Sequence, residues 1–150
     1  MEIQRLIGRS LRSVVELEKL NGFQVILDCD VIQADGGTRT ASISGSFVAL
    51  NLALKKFIKK DFIKSNPVKD YVAAISCGIV NGKVLVDLDY DEDSSADVDA
   101  NFIMTKKSGF SEIQISGENS TFNYQSVTQM VDITKKIVNQ IFDIQKNAIK

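Results

Sequence analysis

Apolar residues at Ile3, Leu6, Ile7, Leu11, Val14 and Val15 recur at helical spacing, which predicts an amphipathic helix over residues 2–19, ended near Asn21-Gly22. No Asn, Asp, Ser or Thr stands ahead of it to cap its first turn. Phe23 to Ile32 is rich in β-branched and aliphatic residues and reads as a strand. A Gly-Gly turn follows, then a long helix from Thr38 to Lys60. Its buried face is Ile43, Phe47, Leu50, Leu54 and Phe57, and Lys55, Lys56, Lys59 and Lys60 complement the negative end of its dipole. Asp61 to Asp70, with Asn66-Pro67, reads as a loop. Two strands, 71–80 and 83–90, are joined by Asn81-Gly82, and a second hairpin pairs 101–106 with 111–116 across 107–110. Val127, Met130, Val131, Ile137, Ile141 and Ile144 mark a C-terminal helix. The predicted order is α-β-α-β-β-β-β-α. It describes one α/β (α+β) domain over residues 1–150, with helices packed on a largely antiparallel sheet.

Composition adds limits to this pattern. With 44% hydrophobic residues and a single proline, the chain can bury the core of one ordinary domain. No apolar run approaches the length that spans a bilayer, and Met1 to Leu20 carries charges of both signs, unlike a signal peptide. A cytoplasmic protein with no membrane partner is expected. Cys29 and Cys77 fall in apolar strand-like segments, where buried structural thiols are expected. There is no histidine, which excludes the Ser-His-Asp triad and every His-containing zinc site. Net charge is -1, yet all four arginines lie in the first 39 residues and Asp87 to Asp99 holds seven carboxylates and no basic residue. Any catalysis must therefore use carboxylates, a metal or a bound phosphate.

Asp35-Gly36-Gly37-Thr38-Arg39-Thr40 has the makings of an anion pocket. The glycines permit a sharp turn, the amides that open the next helix lack partners, and Arg39 adds a permanent planar charge. A cation on the first turn opposes the helix dipole, and an anion is the simplest explanation for it. The alternative is a plain strand-to-helix turn, the commoner use of a lone Gly-Gly-Thr. In the acidic stretch, Asp87 and Asp89 alternate with Leu88 and Tyr90 and are expected on the solvent face of a strand. Asp93 and Asp99 flank a Ser-Ser-Ala turn and can converge on one hard cation such as magnesium. A calcium loop is excluded, because Glu92 replaces its required glycine and Val98 its closing glutamate. Arg5, Arg9 and Arg12 share a face of the first helix, either as a ridge for phosphates or as a solvated surface partly paired with Glu2, Glu16 and Glu18.

Taken in order, the blocks Glu2–Arg12, Asp28–Ile43, Ala73–Gly82 and Leu88–Asp99 resemble the ribonuclease PH family of phosphate-dependent exoribonucleases. The resemblance covers essentially the whole chain but only the C-terminal portion of the family's domain, with Met1 at an internal family position. It implies a ribosomal protein S5 domain 2-like fold, shortened at the N-terminus. It also implies that Gly37, Thr38 and Arg39 hold inorganic phosphate and that Asp93 and Asp99 form a magnesium-binding acidic centre. Asp93 would then be the candidate general acid and Asp99 the candidate metal ligand, a division the sequence does not fix. The implied reaction is 3′–5′ phosphorolysis at the 3′ ends of transfer RNA precursors, releasing nucleoside diphosphates, with RNA contacts from Arg5, Arg9 and Arg12. The implied assembly is a homo-oligomer, a hexamer in the family, and a separate N-terminal half chain is a further candidate partner. Two other readings stay open: a non-catalytic RNA-binding or scaffold subunit, and an inactive remnant of a longer gene.

Overall fold

The computed structural model of the protein describes residues 2–107, 109–118 and 120–150. Helix α1 spans Glu2–Arg12 and buries Leu6 and Leu11. It stops well short of the predicted residue 19. The Glu16 amide donates to the Pro67 carbonyl at 2.8 Å, the Lys69 amide donates to Val14 at 2.9 Å, and Val15 bridges Val68 in antiparallel fashion. Tertiary pairing thus takes the backbone groups that a continuing helix would need, and Leu17–Leu20 forms a single 3-10 turn instead.

Residues 23–32 form no strand. Among the described residues no segment lies alongside them to exchange ladder hydrogen bonds, so their β-branched composition has nothing to act on. Most of their apolar side chains stay in solvent, with Ile26 72% and Ile32 99% exposed, while Leu27 is partly buried against the core and the Phe23 ring meets Phe57 edge-on. Cys29 is likewise exposed, not buried as expected, and its thiol lies 3.1 Å from the Ser46 hydroxyl.

Helix α2 (Thr38–Lys59) matches its prediction. Ile43, Phe47, Leu50 and Leu54 are buried, Phe57 is partly buried, and Lys55 donates to the Ile149 carbonyl. Strand β1 (Val72–Val80) follows, and the left-handed pair Asn81-Gly82, with φ of 51° and 73°, turns it into β2 (Lys83–Val86). A short helix, α3 (Tyr90–Ser95), replaces the end of the predicted second strand and the predicted acidic turn. β3 (Val98–Thr105) and β4 (Gly109–Gly117) then complete an antiparallel four-stranded sheet in the order β2-β1-β3-β4. Helix α4 (Tyr124–Ala148) closes the chain. The observed succession is therefore α, 3-10, α, β, β, α, β, β, α.

Strand alternation sorts the core into two layers. Ala73, Ile75, Cys77, Ala100, Phe102 and Met104 pack with Met130, Val138 and Phe142 of α4. Val72, Ala74 and Ile103 pack on the opposite face, with α2 and α1. Of the residues predicted to mark the C-terminal helix's inner face, Ile144 turns outward and is 66% exposed. β1 is covered on both sides, which is why it is apolar nearly throughout. No helix among the described residues is long and apolar enough to cross a membrane.

Candidate active site

The turn entering α2 is built on Gly37, the N-cap, in the left-handed conformation at φ 73°. No side chain caps the helix there, so its leading amides are not claimed by a capping group. The Thr40 hydroxyl donates to the Gly37 carbonyl at 2.8 Å and fixes the turn from within. Arg39 projects from the first helical turn and is exposed.

The acidic stretch is ordered differently from its sequence-based expectation. Asp87 takes a left-handed φ of 60° directly after β2, and Asp89 is the N-cap of α3. The Asp89 carboxylate accepts from the Glu92 amide at 2.8 Å, and the Glu92 carboxylate accepts from the Asp89 amide at 3.1 Å. The left-handed turn at Asp87 and this capping box at Asp89 take the two aspartates off a strand's solvent face, and the box starts the helix that carries Asp93.

Asp99 stands on β3 opposite Gly78 of β1, in register with the Ser76–Asn101 pair. Its neighbours Val98 and Ala100 point to the α4 layer, so alternation sends Asp99 to the α2 side of the sheet. There the half-buried carboxyl is held above the usual aspartate range, first by desolvation and next by the charge of Asp93. Arg39 pulls in the opposite direction, and Glu118 adds a smaller push upward. Arg39, more than fifty residues away in sequence, therefore shares one electrostatic neighbourhood with Asp93 and Asp99.

Close packing joins the two halves of this neighbourhood. A Cβ at Gly36 would lie 2.0 Å from the Leu88 carbonyl oxygen and 2.8 Å from that of Asp89, so the phosphate-type turn lies directly against the backbone leading into α3. Ser76, buried on β1, accepts from the Leu88 amide at 3.2 Å through its hydroxyl, which lies under Gly37. Neither Ser76 nor Leu88 carries a sequence signal for this role; the strand register brings them here.

Two carboxylates suit magnesium, which characteristically takes one or two from the protein and the remainder from water and substrate phosphates. Among the described residues no cluster of three or more His, Cys, Asp or Glu side chains could enclose a metal ion. The donor set fits a hard cation shared with substrate. Cys77 is not a ligand candidate, because burial pushes its thiol up to about 12.

The arginine ridge lies elsewhere on the same face of the sheet. Arg9 makes a bidentate pair with Glu112 of β4, at 2.9 and 2.7 Å, while Arg5 and Arg12 are exposed. Glu112 and Ser116, which faces Asp99, are separated along β4 by roughly 13 Å at the strand's ordinary rise. Arg9's hydrogen-bonded partner is thus a residue of the sheet, while Glu2, one of the expected helix glutamates, adds a smaller charge attraction. Glu16 pairs instead with Lys19.

The pair makes a pH-dependent prediction. Arg9 holds the Glu112 carboxyl below its ordinary value of 4.5, so its contribution is complete above that value and is lost as pH falls through the lowered one. Glu112→Gln is therefore expected to lower the melting midpoint slightly at neutral pH and not at all in strong acid. Thermal melts of both proteins across that range measure this.

A family model described as the 3′ exoribonuclease family, domain 1, matches residues 1–56, and the model for domain 2 of the same family matches residues 70–137. The chain belongs to the 3′ exoribonuclease family. Among its relatives, Ribonuclease PH of Bacillus cereus (strain G9842) is 53% identical over 150 residues, covering 99% of this chain and 61% of that protein. Ribonuclease PH of Neisseria meningitidis serogroup C is 49% identical over 148 residues, with the same two coverages. The chain thus spans 61% of the length of these curated relatives. The fold agrees with rice Rrp46 (TM-score 0.71, 17% identity, 99% of this chain and 64% of that one). It agrees also with an archaeal exosome core (TM-score 0.69, 21% identity, 99% and 63%).

Proposed function

We propose that the protein is a phosphorolytic 3′–5′ exoribonuclease that trims RNA, including 3′ ends of transfer RNA precursors. The observation that carries this reading is that Arg39 and Asp93 both act on the charge of Asp99, with the uncapped helix start packed against the backbone leading into α3, in a chain of this family. Gly37 and Thr38 amides and the Arg39 guanidinium bind and orient inorganic phosphate, so that its oxygen attacks the last phosphodiester without losing entropy at the moment of reaction. Asp93, exposed on α3, delivers a proton to the leaving 3′ oxygen, directly or through water. Asp99, the ligand of the acidic centre it forms with Asp93, would hold magnesium, whose chemistry here is to offset negative charge gathering around the transferring phosphorus. The products are a nucleoside diphosphate and an RNA one residue shorter.

Arg5 and Arg12 track the RNA backbone beyond the site, and Arg9 supports that ridge from its pair with Glu112. The exposed apolar side chains of residues 23–32 support association with further protein, in keeping with a homo-oligomer such as a hexamer. The decisive assay supplies an RNA with a short 3′ extension, inorganic phosphate and magnesium. Nucleoside diphosphates should appear with phosphate and disappear when sulfate replaces it. Release of monophosphates, or no release at high protein concentration, would overturn the proposal.

A further inference from the structure

Asp35 belongs to none of the groups assigned to phosphate, metal or RNA, yet its carboxylate touches both halves of the site. Its Oδ1 accepts from the Gly36 amide at 2.9 Å and from the Tyr90 amide at 2.6 Å. Gly36 opens the phosphate turn, and Tyr90 is the first residue of α3, so one oxygen ties two segments 55 residues apart in sequence.

The tie matters because of what α3 lacks. This helix buries none of its own residues. Apolar packing acts only on its flanks, at Leu88 (1% exposed) and Ala96 (2%). The helix itself must be placed by hydrogen bonds and backbone contact. The Asp87 amide donates to the Ser76 carbonyl at 2.9 Å, the Leu88 amide to the Ser76 hydroxyl, and the Asp89 amide to Glu92. Asp35 takes the next amide in the series and is the one tie in it that comes from the phosphate turn.

We propose that Asp35 is a positioning residue that holds α3, and with it Asp93, at a fixed place against the phosphate turn. The inference rests on the functional reading above. An exposed hydrogen bond contributes little to global stability, but a misplacement of about 1 Å at a reacting group costs on the order of a hundredfold in rate. The role needs only an acceptor oxygen at Oδ1, not a negative charge.

Steady-state phosphorolysis by Asp35→Ala, Asp35→Asn, Tyr90→Pro and Tyr90→Ala tests this. Proline is tolerated at the first position of a helix and removes only the N–H that Asp35 accepts from, while Tyr90→Ala controls for the exposed phenol. Asp35→Ala and Tyr90→Pro should each lower kcat on the order of tenfold or more, with KM for phosphate changed less than about twofold. Their combination should be no worse than Asp35→Ala alone, and Asp35→Asn should restore kcat to within about threefold of wild type. An Asp35→Ala enzyme with wild-type kcat, additive losses, or an Asn variant as impaired as Ala would overturn the inference. Hydrogen exchange at the Tyr90 amide, read by NMR in the same samples, should quicken in Asp35→Ala, and unchanged protection would overturn the tie. A wild-type chain that releases no diphosphate overturns the functional reading instead, a failure the exchange measurement keeps separate.

Discussion

Asp99→Asn is expected to lower phosphorolysis by on the order of a hundred- to a thousandfold while leaving the protein folded, and in metal-free buffer to raise its melting midpoint. The two halves of this outcome have one cause. Asp99 carries its charge half-buried, near Asp93, and Arg39 and a backbone hydrogen bond from Ala100 offset it only in part. Folding must bring that charge out of water, so an isosteric neutral amide relieves the folded state. Under the proposed function, the same charge would hold the magnesium ion that offsets negative charge around the transferring phosphorus. Asp93→Asn should stop the reaction as well, since it removes the candidate acid. The two variants are separable: raised magnesium should recover part of the Asp99→Asn activity and none of the Asp93→Asn activity, if ligand and acid divide as proposed. Diphosphate release over a magnesium titration, paired with thermal melts in chelator, gives both readings. An Asp99→Asn protein that melts below wild type and cleaves normally would mean that Asp99 is a structural residue.

Much of this arrangement was legible in the chain, and the rest failed for identifiable physical reasons. Local signals held: the period of α2, the Asn81-Gly82 turn and the apolar run of β1 each fix structure without help from distant residues. The Gly37-Thr38-Arg39 turn and the Asp93–Asp99 pair were visible as separate motifs, and the order of four sequence blocks already carried the resemblance to the family to which the chain belongs. What could not be read was the register that unites them. Asp99 turns toward Arg39 because it faces Gly78, and a shift of one residue would send it into the α4 layer. The acidic stretch misled because alternating apolar and acidic residues fit a strand, although Asp89 and Glu92 already spell a capping box. Residues 23–32 misled for the opposite reason: strand composition is an offer to pair, and nothing in the described chain accepts it. Helix α1 ended early because Pro67 and Lys69 compete for its backbone, a contact between residues about fifty positions apart that no local period encodes.

Gly36→Ala should be the most damaging of the small substitutions, because no flexible side chain can yield to the added methyl group. Its three nearest neighbours would be the Leu88 carbonyl oxygen at 2.0 Å, the Asp89 carbonyl oxygen at 2.8 Å and the Leu88 carbonyl carbon at 2.8 Å, all backbone. Either the phosphate turn or the approach to α3 must move. Overpacking of this kind costs about 1–3 kcal/mol of stability, and separating the turn from Asp93 by about 1 Å should lower kcat on the order of a hundredfold. Gly45→Ala is the matched control. It lies within α2 with nothing inside 4 Å of the added carbon, so the same methyl group should stabilise by up to about 1 kcal/mol and leave activity unchanged. Gly37→Ala should fall between them. Its neighbours, at 3.2 and 3.3 Å, are the Ser76 and Thr40 hydroxyls, side-chain atoms that need give by only a few tenths of an ångström against their hydrogen bonds, but its left-handed φ of 73° penalises any side chain by about 1–2 kcal/mol. Melting midpoints and phosphorolysis rates of the three variants should therefore rank Gly45→Ala, Gly37→Ala, Gly36→Ala from best to worst. If Gly36→Ala matches Gly45→Ala, the turn and the acidic helix are not in contact in solution, and the proposed site does not form.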